Sequence, residues 1–187
     1  GNYSAKLQSQ YVALFGIGAF AAGNVFVGKF LKIDGTDGIL RFGRPFTSRP
    51  SKLVLYYRYV AGTVDYSTLS ELPKNSKDMG SIYIALGDWP HQTFEGETDI
   101  PVLVKTKPAD TQLFDSNSSN VIGYGECILK ESTEGEGLIK LEIPINYRSN
   151  RKPTDIILVG SASRYGDYFT GSTGSTLWLD DLELIYE

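Results

Sequence analysis

The C-terminal stretch SRYGDYFTGSTGST contains side chains whose types and spacing could bind a polar ligand. Tyr165 and Tyr168 provide aromatic rings, and Arg164 and Asp167 place a hydrogen-bond donor and an acceptor beside them. The glycines permit tight turns and positive φ, so the rings can be held at defined angles. Two interpretations are open. Either the rings stack on the C–H faces of a sugar while Arg164 and Asp167 bind its hydroxyls, or the loop packs on itself and covers one end of the core.

Two further segments combine aromatic and polar side chains. Trp89 lies next to a proline in the polar stretch GDWPHQTF, and we expect its indole to be exposed as a second stacking surface. In RFGRPFTSRPSKLVLYYRY, prolines restrict the backbone, and Arg49 precedes a strand that contains Tyr56. Arg49 and Tyr56 could bind a sugar through a planar guanidinium and an aromatic face. The alternative is that the arginines and prolines fasten a loop to the edge of the fold.

Residue counts exclude several kinds of chemical site. His91 is the only histidine and Cys127 the only cysteine, so a multi-histidine zinc site and an intrachain disulfide are impossible. The sequence contains no nucleophile elbow, phosphate-binding loop or dinucleotide-binding motif. A carboxylate pair for glycoside hydrolysis is possible, but with 22 acidic residues this possibility has little specificity.

Charge and hydropathy bear on the partners of the chain. The 187 residues have a formal net charge of -4. The pI of about 5.1 is unlike that of most nucleic-acid-binding domains, which present a basic face. No stretch approaches the roughly 20 apolar residues that a membrane-spanning helix needs. We therefore expect no nucleic-acid partner and no insertion of this domain into a membrane.

Alternating apolar side chains predict an all-β protein. In GLIKLEIPINY, every second residue from Ile139 to Tyr147 is aliphatic or aromatic, which is typical of a half-buried strand. Further strands are predicted in KLQSQYVALF, NVFVGKFLKI, KLVLYYRYV, SIYIAL, IPVLVKT, VIGYGECILK, DIILVGSAS and TLWLDDLELIY. Nothing between them has the length and period of a helix that could connect parallel strands. We predict one domain over residues 1–187, folded as an antiparallel sandwich of two sheets.

Two local patterns refine this prediction. In TLWLDDLELIY the inward-facing residues are odd-numbered before Asp180 and even-numbered after Asp181, so we predict a β-bulge at the two aspartates. The glycines of GIGAFAAGN and DGTDG predict turns.

Three blocks together resemble a known family. AAGNVFVGKF, FGRPFTSRPSKLVLYYRY and KPTDIILVGSASRYGDYFTGSTGSTLWLDDLELIYE are similar to the putative carbohydrate metabolism domain of Bacteroidetes surface and secreted proteins. The blocks occur in family order and span nearly the whole chain. The resemblance implies a jelly-roll sandwich of the galactose-binding or carbohydrate-binding-module type. It also implies a place at the cell surface, as an outer-membrane lipoprotein, or outside the cell. We expect the family's N-terminal immunoglobulin-like domain to be absent from this chain.

The resemblance also bears on metal binding. Carbohydrate-binding jelly rolls often hold a structural calcium ion beside an acid on the last strand, and hard oxygen ligands suit this ion. A calcium site that uses Asp180 or Asp181 with backbone carbonyls is therefore possible. The alternative is a bulge with solvated carboxylates and no metal, and no other cofactor is expected.

These observations support one leading hypothesis and two alternatives. The leading hypothesis is a non-catalytic module of a surface or secreted protein that binds an oligosaccharide or polysaccharide through Trp89 and the C-terminal loop. The first alternative is a glycan-cleaving hydrolase that uses a carboxylate pair. The second is a protein-interaction or spacer module of a surface assembly.

Overall fold

The computed structural model describes residues 3–14 and 17–186. Its helical parts are two 3₁₀ turns, Pro108–Asp110 and Gly166–Tyr168, and no helix of the described chain is long and apolar enough to cross a membrane. The strands are Ala5–Gln8 (β1), Gln10–Leu14 (β2), Ile17–Ala21 (β3), Asn24–Phe26 (β4), Gly28–Asp34 (β5), Asp37–Phe42 (β6), Arg44–Pro45 (β7), Lys52–Val60 (β8), Gly80–Gly87 (β9), Gln92–Phe94 (β10), Glu97–Ile100 (β11), Val102–Lys105 (β12), Val121–Leu129 (β13), Ile139–Pro144 (β14), Asn146–Tyr147 (β15), Asp155–Ser161 (β16) and Thr176–Ile185 (β17).

The main sandwich consists of two antiparallel sheets. The front sheet has the order β1, β17, β8, β14, and the central sheet has the order β15, β13, β9, β16, β4, with β7 also paired to β16. Leaving aside the short strands β7 and β15, the chain passes through β1, β4, β8, β9, β13, β14, β16 and β17. The first, third, sixth and eighth of these lie in the front sheet and the others lie in the central sheet. This order is that of a jelly roll, so the predicted fold class is confirmed.

The central sheet is buried on both faces. Ile82, Ile84 and Leu86 of β9 belong to the core between the two main sheets. The alternate residues Tyr83 and Ala85 belong to a second apolar cluster on the opposite face. Antiparallel sheets usually have one face in water, so this second face needs another layer to cover it.

That layer is a third sheet, the outer sheet, with the order β12, β6, β5. Leu40 and Phe42 of β6 pack toward the central sheet, whereas Ile39 contacts Leu103 and Phe94 on the far side. Phe94 belongs to the hairpin β10–β11, which lies over the outer sheet. Side chains of β6 therefore point alternately into two different apolar layers.

One sequence prediction in this region is wrong and one is confirmed. GIGAFAAGN contains β3, which pairs with β2, rather than a turn over residues 17–21. Gly18 is small because a side chain there would collide with the ring of Tyr11 and the carbonyl oxygen of Val12. In DGTDG, by contrast, Gly35 has a φ of 72° and lies in the turn between β5 and β6, as predicted.

The predicted bulge at the two adjacent aspartates is confirmed. Asp180 is opposite Tyr56, but the next paired residue of β17, Glu183, is opposite Val54. The last strand therefore contains one extra residue, and Asp181 adopts a φ of 48°.

A buried carboxyl group connects the loops at one end of the sandwich. Asp78 is fully buried, and its Oδ2 accepts hydrogen bonds from the hydroxyls of Ser163 (2.6 Å) and Ser175 (2.7 Å) and from the amide of Ser172 (2.8 Å). Its Oδ1 accepts one from the Met79 amide at 2.8 Å. Burial raises the pKa of Asp78, although each of these hydrogen bonds acts to lower it.

Asp78→Ala is expected to lower the free energy of unfolding by about 3 kcal/mol or more, because buried donors lose their acceptor. Urea denaturation measures the change. Asp65→Ala is the control, since Asp65 is exposed and also accepts hydrogen bonds from the C-terminal loop, through Thr173. A loss of stability no larger than that of the control would contradict the structural role of Asp78.

Candidate functional site

A cleft opens where the outer sheet ends and the C-terminal loop crosses the central sheet. We call it the Tyr83 cleft; its cavity volume is about 60 Å³, which is smaller than that of most ligand pockets. Its wall includes Asn24, Phe26, Leu40, Ser81, Tyr83, Arg164 and Asp167. Strands from two sheets thus form the floor, and the loop supplies charged groups at the rim.

Tyr83 belongs to a row of aromatic rings. Its ring stacks on Phe114 with centroids 5.4 Å apart and planes 6° apart, and the ring of Tyr124 lies 6.1 Å away. The guanidinium of Arg148 lies 5.7 Å from the Tyr124 ring centroid. Tyr83, Phe114 and Tyr124 are all partly exposed. Such contacts contribute about 0.5–1.5 kcal/mol per ring pair, so these rings are held in fixed orientations.

Charged groups surround the hydroxyl end of Tyr83. Arg164 forms an ion pair with Glu126 of β13. Desolvation is the main reason that the pKa of Tyr83 is raised, and the nearby carboxyl group of Asp167 raises it further. Arg164 acts to lower it. Asp167 as a residue is exposed, but desolvation of its carboxyl group raises its pKa. The cleft is therefore lined by one cation, one acid and one phenol, and the second acid, Glu126, lies beside it as the partner of Arg164.

The Asp78 network holds the loop that carries Arg164 and Asp167. Ser163, next to Arg164, donates to Asp78, and the amide of Arg164 donates to the carbonyl oxygen of Met79 at 2.6 Å. After the 3₁₀ turn, Phe169 adopts a left-handed conformation with a φ of 51°. Both sides of this loop segment are thus tied to the body of the domain.

Sequence comparison identifies the family. The model of the putative carbohydrate metabolism domain matches residues 1–185 of the chain. The chain belongs to this family. The comparison with curated proteins finds no match.

Two solved structures show the same fold. A protein of Bacteroides thetaiotaomicron, described as a putative glycoside hydrolase, is 22% identical with a TM-score of 0.68. A second from Bacteroides vulgatus, with the same description, is 24% identical with a TM-score of 0.66. Each comparison covers 98% of this chain, but only 53% of the first protein and 73% of the second. The chain therefore spans about half the length of the first of these structures.

The structure brings together some of the side chains that the sequence predicted to bind a sugar in this member of the family. Arg164 and Asp167 both line the Tyr83 cleft. Tyr165 lies beneath the Arg164 guanidinium, 5.9 Å from it, and is partly exposed. Tyr168 is 45% exposed and its carbonyl oxygen accepts a hydrogen bond from Thr68. The loop is thus neither wholly open nor wholly packed on itself.

The prediction that Trp89 is exposed is wrong. Its side chain is 7% exposed and belongs to the apolar cluster between the central and outer sheets. The indole covers Gly87 so closely that a side chain at this glycine would lie 2.4 Å from it, and its edge meets Phe114. Trp89 supports the aromatic row from below and does not offer a face to a ligand.

Arg49 and Tyr56 both lie outside the Tyr83 cleft, and they belong to two different parts of the surface. Arg49 donates hydrogen bonds to the carbonyl oxygens of Arg151 and Ser149, and its guanidinium lies 4.0 Å from the ring centroid of Tyr147. These contacts agree with the alternative in which arginine fastens a loop. Tyr56 is exposed on the outward face of the front sheet, in a shallow groove beside Lys140.

The two aspartates of the bulge lie in that same region of the front sheet. Asp181 is exposed and borders the groove that also contains Tyr56. Among the described residues, no group of three histidine, cysteine or acidic side chains could hold a metal ion. A calcium site at Asp180 or Asp181 that also uses backbone carbonyls stays a prediction.

Sequence reasoning missed Tyr83, Tyr124 and Glu126. All three lie on the face of the central sheet that a two-sheet sandwich would expose to water. The sequence contained a sign of this surface. Tyr83 interrupts the aliphatic run SIYIAL, and Tyr124 alternates with the glycines Gly123 and Gly125 in VIGYGECILK. When two adjacent strands each have a tyrosine at a position expected to face water, that face of the sheet is a candidate binding surface.

Trp89→Ala is expected to lower the free energy of unfolding by about 3–5 kcal/mol, as other large-to-small changes in cores do. Tyr168→Ala, a change of comparable size at an exposed ring, is expected to change it by about 0.5 kcal/mol or less. Chemical denaturation of both variants checks this. Equal effects would contradict the assignment of Trp89 to the core.

Proposed function

We propose that this domain binds a saccharide in the Tyr83 cleft without cleaving it. The observation that carries the proposal is the partly exposed ring of Tyr83, which lines the cleft with Arg164 and Asp167 and is held by contacts with Phe114 and Tyr124. An aromatic surface accepts the apolar C–H face of a sugar ring, and charged groups at its rim bind hydroxyls that would otherwise lose their water.

Two further facts support a saccharide as the ligand. The chain belongs to a family described by a role in carbohydrate metabolism, and two proteins of the same fold are described as putative glycoside hydrolases. The cleft is also assembled in advance, because ring stacking and the Asp78 network fix its two sides. Preorganisation reduces the entropy lost on binding, which favours weakly interacting ligands such as sugars.

Tyr83→Phe is expected to weaken saccharide binding about threefold to tenfold, because one hydrogen bond from the phenol is lost while the ring stays in the row. Isothermal titration with glycans identified on an array of host and plant polysaccharides measures the affinity. Tyr56→Phe is the matched control, since it removes the same atom from an exposed tyrosine on the front sheet. Equal losses in both variants, or an array without any binding, would count against the proposal.

A second candidate function is hydrolysis by a carboxyl pair in the same cleft. The specific observation is that Asp167 lines the cleft together with Arg164, whose ion-pair partner Glu126 is a second acid beside it. Desolvation also raises the pKa of Asp167, which suits a proton donor.

If the domain is a hydrolase, Asp167→Asn is expected to lower product release from the bound polysaccharide about 100-fold or more, because the proton donor is lost. Release of reducing ends over time measures this. Asp99→Asn, at an exposed aspartate outside the cleft, is the control. Binding without product release by the unmodified protein would exclude this second function and leave the first intact.

A protein-interaction or spacer role is the outcome expected if neither binding nor cleavage of any glycan is found. Location at the cell surface or outside the cell stays a prediction from the family resemblance. Fractionation of the native host's cells, with detection of this domain in the envelope or the medium, tests it.

A further inference from the structure

We propose that the domain has a second saccharide-binding pocket, between the outer sheet and the hairpin β10–β11. We call it the Phe94 pocket; its cavity volume is about 190 Å³. Its wall includes Lys32, Asp37, Phe94, Lys105, Lys107 and Asp110. No sequence pattern drew attention to these residues, because they come from three separate strands, a hairpin and a loop.

The carboxyl group of Asp37 is the first reason to expect a ligand here. Asp37 is 9% exposed, and its Oδ1 is buried without a hydrogen-bond partner among the described residues. The other acids of the pocket are paired at 2.5–2.9 Å: Glu95 with Lys32, Asp110 with Lys105, and Asp34 with Lys107. An unpaired buried oxygen costs free energy unless a donor reaches it. Asp37 lines the Phe94 pocket, and this oxygen is covered in the free protein, so a ligand hydroxyl would supply that donor once binding displaces the atoms above it.

The position of Phe94 is the second reason. The ammonium groups of Lys32 and Lys105 each lie 5.5 Å from its ring centroid. The ring is only partly buried and forms part of the pocket wall. It therefore offers an apolar surface flanked by donors that can bind ligand oxygens.

The balance of charge selects the class of ligand. Three lysines face four acids, counting Lys32, Lys105 and Lys107 against Asp34, Asp37, Glu95 and Asp110. The acids would repel a phosphate and the lysines would repel a cation. A neutral molecule with an apolar face and both donors and acceptors fits this environment, and a neutral saccharide has these properties.

The Phe94 pocket is separate from the Tyr83 cleft. Leu40 of β6 lines the cleft, whereas Asp37 and Ile39 of the same strand line the Phe94 pocket. The two sites thus lie on opposite faces of the outer sheet. The choice of ligand class here rests on the proposed function, but the site does not, so the two can fail separately.

Titration of the ¹⁵N-labelled domain with neutral tetrasaccharides of glucose, xylose and mannose, followed by NMR, tests the inference. Amide signals of Asp37, Gly38, Phe94 and Lys105 are expected to shift on addition of at least one sugar. Asp37→Ala is expected to weaken this binding about fivefold or more, because a hydrogen bond to a charged group is lost. Its melting temperature is expected to equal or exceed that of the unmodified protein, since removal of an unpaired buried oxygen removes a desolvation cost.

Two further variants show whether loss of binding is specific to the Phe94 pocket. Asp88→Ala removes an exposed acid paired with Arg151 outside the pocket and is expected to leave the binding unchanged. Lys105→Met, which keeps an apolar stem beside Phe94, gives an independent test if Asp37→Ala fails to fold, and it too is expected to weaken binding.

The pattern of shifts decides between the two sites, and several outcomes would overturn the inference. One is the absence of shifts at the Phe94 pocket with all three sugars, and another is the same shifts with glycerol, which would indicate an adventitious polyol only. Shifts confined to Ser81, Tyr83 and Arg164 would support the Tyr83 cleft and reject the second pocket. Shifts confined to the Phe94 pocket and lost in Asp37→Ala would support the second pocket and reject the first.

Discussion

The hydrogen bonds that converge on the carboxyl group of Asp78 fix the part of the chain on which the site depends. Loop 162–175 is rich in serine and glycine, so apolar burial alone cannot hold it. Asp78 instead accepts from Ser163, Ser172 and Ser175 within this loop, and Ser9 near the N-terminus hydrogen-bonds Ser163 in turn. Burial of a carboxyl group is unfavourable because the charge loses its water, which raises the pKa of Asp78, and the convergent donors offset that cost. A strained or mobile loop would lose affinity on every binding event, whereas this one holds its charged groups in place beforehand.

The extent of the outer sheet determines where a ligand can reach the central sheet. Ala85 and Tyr83 are alternate residues on the same face of β9, but Ala85 is fully buried and Tyr83 is partly exposed. The cleft is therefore the part of that face which the outer sheet leaves uncovered. This also explains the burial of Trp89, because the loop that carries it passes under the aromatic row instead of projecting into solvent. The proposed ligand surface and the structural core share one layer of rings, so changes in the core are expected to alter the orientation of Tyr83.

Alternation along the chain was enough to predict most strand segments of both main sheets and the bulge at Asp180, because each depends on a local pattern of apolar residues. It did not predict that NVFVGKFLKI and GLIKLEIPINY each contain two strands that belong to different sheets. It was not enough to predict the third layer. β6 has inward-facing residues on both faces, so it lacks the apolar and polar alternation of a half-exposed strand. The exposure of Trp89 was predicted wrongly because the outer sheet was not foreseen. A tryptophan in a polar segment gives no local sign that a distant sheet will cover it. Arg164 and Asp167 could be predicted because they lie in one loop, whereas Glu126 and Tyr83 join them only through strand pairing over long sequence separations.

Two buried aspartates show how structural and functional polar groups can be distinguished in this fold. Asp78 is surrounded by donors from the protein itself, and removal of its carboxyl group would leave these donors unpaired. Asp37 is nearly as buried, but within the described part of the chain its Oδ1 has no donor, although lysines lie close by and pair with other acids. Folding alone gives no reason to keep such an oxygen, since an apolar residue of similar size would avoid its desolvation cost. A donor from a ligand bound in the Phe94 pocket, as proposed above, would remove this cost, and the partly exposed ring of Phe94 beside it suits the apolar face of a sugar.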